Sequence, residues 1–475
     1  MATGGVFTDV KPLAETSRGP TPIRAVMEDP EADDLSFWDA PRKSERGRRG
    51  RPDKLGNAQR TINMVPVHQT AEFKSRSHTY VGYAIVVHLL APSNLEEHER
   101  DLEKWDGTYV RCEDLNQDPL EFQLLLDLGA PMDSWVFCEL SWDTITPLKG
   151  SRDIPWSDFH EHRYANKNKI PLPPDSHVRD RQNMARFAYG SDEFTSKIAI
   201  AQTVVKIRYH DRDHHPVDLP EFPIGVALGF TPTDIERDED GVLSLARQSN
   251  SKSTFEPQTS IAGPRWTSKT FTGMLKEKNI ISKNTFTLYI DHPIFVPQAK
   301  SVVIFGPVYD PGLPSIVADE ERWTSVPVLY GSGQWELHLK MIKFWPAKGR
   351  YKEIPVGVDV TLDNGSSQTY LSKTIVDDLT EKLDIQNNVA PSLAREDELV
   401  LVFSQGESEI AIHGQARRFF TSPYLKSSGE RAFPFAPTFK KRYILGLNFF
   451  MTFITTFQDA DDPMARILVH PHDFV

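Results

Sequence analysis

Two short stretches constrain this chain more than anything else in it. They are Leu124-Leu125-Leu126-Asp127-Leu128-Gly129 and, far downstream, Thr361-Leu362-Asp363-Asn364-Gly365-Ser366. Each is an apolar or alternating run that delivers an Asp, then one residue, then a Gly. Gly admits a sharp turn where a side chain would clash, so the Asp stands at the mouth of a turn instead of inside a strand. A single Asp-x-Gly is ordinary turn chemistry. Two of them behind similar strands, one in each half, suggest a duplicated unit. Such a unit can bring two carboxylates together across a pseudo-two-fold axis.

The chain is long enough for this. Its 475 residues hold two or three ordinary domains or one large bilobal body. Pro, Gly and Phe number 35, 27 and 27, which favours many turns and aromatic-rich sheets over a helical bundle. The net charge of −12 argues against a chain built as a whole to hold polyanions. Two cysteines, Cys112 and Cys138, allow one disulfide at most, and two buried thiols fit equally well. The first residues have neither the basic nor the apolar region of a signal peptide. No apolar run reaches the ~18 residues of a membrane span.

Residues 1–60 are expected to form a disordered arm, poor in apolar side chains. Its basic cluster at 42–51 contains Arg49-Gly50-Arg51-Pro52, similar to the core of a minor-groove arm. It is read as a solvated tail, so nucleic acid is not an expected partner. Two lobes follow, at 61–290 and 291–475. In the first, Gly107 to Asp127 reads as a hairpin and Ser93 to Trp105 as a short helix. Arg186 to Asp192 and Ser196 to Tyr209 read as a hairpin with Tyr189-Gly190 at its turn. Phe222 to Phe230 is a buried apolar segment, residues 231–265 are loop and Phe271 to Asn279 is helix. In the second lobe, Trp335 to Phe344 alternates as a strand and Ser372 to Leu383 is helical. Tyr443 to Leu447 and Phe449 to Phe457 read as strands. The fold class is all-β with a few short helices. His160-Glu161-His162 and the run from His210 to His215 lack metal-site spacing and read as surface loops.

The ordered set of motifs resembles the pepsin-like aspartic proteases. Leu124 to Val136 is similar to their first active-site segment, an Asp turn with a following Trp, and Leu362 to Leu371 to their second. Phe187 to Ser191 is similar to their flap hairpin. Gly225 to Phe230 resembles the apolar segment behind the first site, and Tyr443 to Phe450 its second-lobe partner. The resemblance covers roughly residues 75–475 and implies a bilobal pepsin-like fold with a cleft between pseudo-two-fold lobes. It implies an aspartic endopeptidase with Asp127 and Asp363 as the catalytic dyad, sharing one proton so that the pair supplies both base and acid. Tyr189, Gly190 and Ser191 would close over the substrate, Trp135 would support Tyr189, and Gly129, Gly365 and Ser366 would shape the turns. A polypeptide substrate, no cofactor, no metal and a monomer are expected. The family is usually secreted or vacuolar, and this chain's compartment stays open. Several positions depart from the pattern: one extra residue lies between Asp127 and Trp135, the flap lacks its second Gly and has Asp192-Glu193 there, and Ala227 stands where a Gly is expected. Leu128 and Asn364 stand where a Thr would lock the two loops together, and Ala130 stands where a Ser would bond the first Asp. A binding protein of the same fold with weakened hydrolysis is the competing expectation.

Overall fold

A computed structural model describes residues 10–11, 59–73, 76–90, 109–110, 120–129, 134–137, 185–190, 195–211, 215–231, 235–237, 239–247, 270–296, 300–307, 323–329, 334–423, 425–426, 430–439, 442–458 and 465–472. The expectations for the basic arm, the 93–105 helix, Cys112, Cys138, Ala130 and Ser191 fall outside them.

Two large sheets dominate, one of fifteen strands and one of seven, and Val10–Lys11 forms a small separate pair with Leu425–Lys426. Alternation builds the strands where one face is buried. In Glu336–Trp345, Leu337 and Leu339 are buried, then Ile342 and Phe344. The change from odd to even positions falls at a register irregularity between Leu339 and Met341, where one extra residue flips the inward face. Most of the buried apolar side chains of both halves form one continuous core, and Val302, Ile304 and Ile454 form a small cluster apart from it.

The large sheet draws on both ends of the chain. Arg60–Phe73 pairs with Arg76–Leu90 on one side and with Ser301–Phe305 on the other. Thr285–Tyr289 lies between Ser301–Phe305 and Phe453–Gln458, and Phe453–Gln458 in turn pairs with Arg466–Pro471. At this junction polar groups are buried together. His292 is fully buried: its Nε2–H donates to the Thr421 carbonyl at 3.1 Å and its Nδ1 accepts from the Ile294 N–H at 3.3 Å. Those two bonds suit a neutral ring, and desolvation pushes its pKa down to about 3. His472, also buried, sits 4.0 Å from Asp291, and burial holds it well below the usual histidine value.

Four sequence expectations change here. Tyr109–Val110 runs parallel to Thr195–His210 instead of forming a hairpin with Leu120–Asp127, whose antiparallel neighbour is Arg76–Leu90. Residues 231–265 contain two strands, Ile235–Arg237 and Gly241–Ser244. The second is four residues long and buried throughout, too short for periodicity to mark it. Gly225 to Ala227 pair with Trp135–Phe137, and it is Gly241–Ser244 that lies against the strand of Asp127. Lastly, Leu447–Thr452 is a helix and only Phe453–Gln458 continues as strand. Every residue of that helix is buried, so an apolar run gives no period to read. Asn448 fixes it by accepting from the Thr369 hydroxyl at 2.6 Å and donating to the Phe419 carbonyl at 2.9 Å.

Candidate active site

The two Asp turns are built alike. Leu124 to Asp127 pair in parallel with Gly241 to Ser244, and Val360 to Leu362 pair in parallel with Tyr443 to Leu445. One backbone bond closes each end: Leu245 N–H to the Asp127 carbonyl at 2.9 Å, and Asp363 N–H to the Leu445 carbonyl at 3.0 Å. Each carboxylate then bonds its own loop. Asp127 Oδ1 accepts from Gly129 N–H at 2.7 Å, and Asp363 Oδ1 accepts from Gly365 N–H at 3.0 Å. The buried Trp335 backs the first turn, its indole N–H donating to the Leu245 carbonyl at 2.9 Å.

The turns face each other closely. A methyl group built on Gly129 would fall 2.3 Å from Asp363 Oδ2, and one built on Gly365 would fall 2.8 Å from Asp127 Cγ. Each Asp therefore packs against the Gly of the opposite turn, and the two carboxyls share a hydrogen bond. Asp127 is buried and Asp363 partly so. Burial lifts the Asp363 carboxyl above the ordinary carboxylate range. The Arg442 guanidinium, the bond with Asp127 and the N–H groups of Gly365 and Ser366 pull it part of the way back.

Of the positions that depart from the expected pattern, Asn364 makes a new link between the loops. Asn364 is fully buried and spans the two loops with both ends of its amide. Its Oδ1 accepts from the Leu128 N–H at 3.0 Å, and its Nδ2 donates to the Leu126 carbonyl at 2.8 Å. These backbone groups flank Asp127 on either side. Leu128 contributes no such bond from its side chain and is wholly buried in the core. The link between loops is thus rebuilt from one side by an amide, which has both a donor and an acceptor. In the sequence Asn364 stands out only as a departure, although an amide can both donate and accept. The Ser366 hydroxyl donates to the Gln368 carbonyl at 2.9 Å.

Tyr189 and Gly190 end the strand Ala185–Gly190, which pairs antiparallel with Thr195–His210, Tyr189 opposite Ser196. Trp135 lies in a three-residue strand between Gly241–Ser244 and Pro216–Thr231. A residue not foreseen is Arg442. It is exposed, and its Nη2 donates to the Gly129 carbonyl at 3.3 Å. Among the described residues no group of His, Cys, Asp and Glu is placed to hold a metal, and no helix is long and apolar enough to cross a membrane.

The model of the family "Eukaryotic aspartyl protease" matches residues 224–465, a span that takes in Asp363 and begins after Asp127. Among solved structures, the aspartic proteinase of Irpex lacteus is 13% identical with a TM-score of 0.50, over 88% of this chain and 98% of that one. Conglutin gamma, a basic 7S globulin from lupine seeds, is 13% identical with a TM-score of 0.48, over 87% and 95%. No curated protein sequence matches. The likeness to the Irpex structure shows the bilobal pepsin-like architecture.

Proposed function

This chain belongs to the eukaryotic aspartyl protease family, and from that premise we propose that it is an endopeptidase whose water is activated between Asp127 and Asp363. The observation that supports the reading is the reciprocal packing of each carboxylate on the glycine of the other turn. Two carboxyls in hydrogen-bond contact do not ionise independently, so the pair holds one proton over a range of pH. The ionised member takes a proton from water as the water attacks the peptide carbonyl. The protonated member first donates toward the carbonyl oxygen; as the C–N bond breaks, the carboxyl that took the water's proton passes it to the leaving nitrogen and the diol's proton returns to the other carboxylate, restoring the singly protonated pair. Burial at Asp363 favours the protonated form, so the pair as a unit retains a proton more readily than exposed carboxylates do. On this reading Gly129, Gly365 and Ser366 shape the turns. In this family the flap segment, matched by Tyr189, Gly190 and Ser191, would close over the substrate, and Trp135 would support Tyr189.

A second reading is motivated by Leu128, which leaves the link between the loops one-sided. Here the cleft binds polypeptide without turnover. The two separate cleanly. The expected result is cleavage of a denatured protein at acid pH, inhibition by a statine-type peptide, and loss of activity in Asp127→Asn. Inhibitor binding with no cleavage at any pH favours the second reading.

A further inference from the structure

Arg442 stands just before the strand Tyr443–Leu445, which pairs alongside the strand of Asp363. It is exposed, yet its guanidinium reaches across to the carbonyl of Gly129, in the loop of Asp127. Gly129 itself touches the Asp363 carboxylate. A cation therefore lies at the edge of the carboxylate pair, within electrostatic reach of Asp363.

A purely structural strut explains this poorly. The contact to Gly129 is long, at 3.3 Å, and uses one of the five N–H donors of the guanidinium. A planar fork at an exposed edge suits a carboxylate, which it can take with two parallel bonds. The setting also needs such a group if acidic chains are to be bound. The protein carries a net charge of −12, and the singly ionised pair adds a negative charge where the substrate must lie.

We infer that Arg442 is a specificity-determining residue that selects polypeptides carrying an ionised Asp or Glu beside the scissile bond. The inference rests on the proposed function for its location in a substrate cleft, but not on turnover. It carries a pH signature. Glu has an ordinary pKa of about 4.3, so the preference is present when the substrate carboxyl is ionised and vanishes once it is protonated.

The test uses two sets of probes on the full chain. The first is a pair of statine-type peptides identical except for Glu or Gln next to the statine, with affinities measured at pH 6 and pH 3.5. The second is a set of fluorogenic peptides with Glu, Gln or Lys beside the cleaved bond. Tighter binding of the Glu probe by about 3- to 10-fold at pH 6 is expected, the scale of a partly exposed ion pair, falling to about 2-fold or less at pH 3.5. Arg442→Gln should abolish the preference, Arg442→Lys should keep most of it, and Arg442→Glu should favour Lys. A Glu preference that survives in Arg442→Gln, or its absence from the parent chain, overturns the inference. If the Glu preference is seen in binding while no peptide is cleaved, the proposed hydrolysis fails and the role of Arg442 stands. Cleavage without charge preference has the opposite meaning. Failure of both probes to bind, with no cleavage, overturns both.

Discussion

Asn364 holds the loop of Asp127 by two bonds to backbone groups, both buried. Removing the amide strands a donor and an acceptor, each costing about 1–3 kcal/mol. Asn364→Ala should therefore lose about 2–6 kcal/mol in urea unfolding, read as a lower midpoint at unchanged slope. A second prediction concerns the opposite contact. Gly129→Ala would drive a methyl into the Asp363 carboxylate, which must move aside. On the proposed chemistry a displacement of this order lowers kcat by about 100-fold, while far-UV circular dichroism stays unchanged. Both Asp and both Gly were legible in the sequence, because the turn demands those residue types. The partners of Asn364 were not, since they lie more than 230 positions away. Arg442 was illegible for the same reason: nothing near it in the sequence hints at Gly129.

Helices show where local chemistry speaks and where it falls silent. Lys373–Lys382 opens with Ser372, whose hydroxyl accepts from the Ile375 N–H at 3.3 Å, and its inward face is Ile375, Val376 and Leu379. Cap and periodicity are both local, so the helix was readable. Ser372→Ala should cost about 1 kcal/mol by thermal or chemical unfolding. The buried helix Leu447–Thr452 and the strand Gly241–Ser244 have no exposed face, so no inside–outside period marks them. Their conformations are set by neighbours. Gly446 precedes the helix because a side chain there would meet the Gln368 carbonyl oxygen at 2.1 Å. The same limit explains the misassigned segment behind the first Asp turn. Gly225 to Phe230 and Gly241 to Ala246 are both apolar and Gly-led, and only pairing in the sheet distinguishes them.

Across the whole molecule, the buried histidines and the buried carboxyls respond to acid in opposite senses. His292 and His472 bind a proton in the unfolded chain at pH 6.5 and below but resist it when folded. Their contribution is present above pH 6.5 and is lost as pH falls toward about 3 for His292. Asp363 and Asp291 are displaced upward. They favour the folded state at low pH, and that contribution fades as pH rises from their unfolded value through their folded one. His292→Gln should therefore flatten the fall in melting temperature between pH 6.5 and pH 4. An unchanged slope would remove the histidine from the account. The large sheet has a consequence for how the protein is made. Thr285–Tyr289 has its final neighbour in Phe453–Gln458, which a ribosome supplies roughly ten to thirty seconds later at ~5–20 residues per second. Until then the nascent chain carries an unpaired strand edge, a template for joining other chains. A chain stopped at residue 450 should consequently accumulate as insoluble material however intact its Asp turns are. A chaperone that shields sheet edges should raise the yield of the full-length protein.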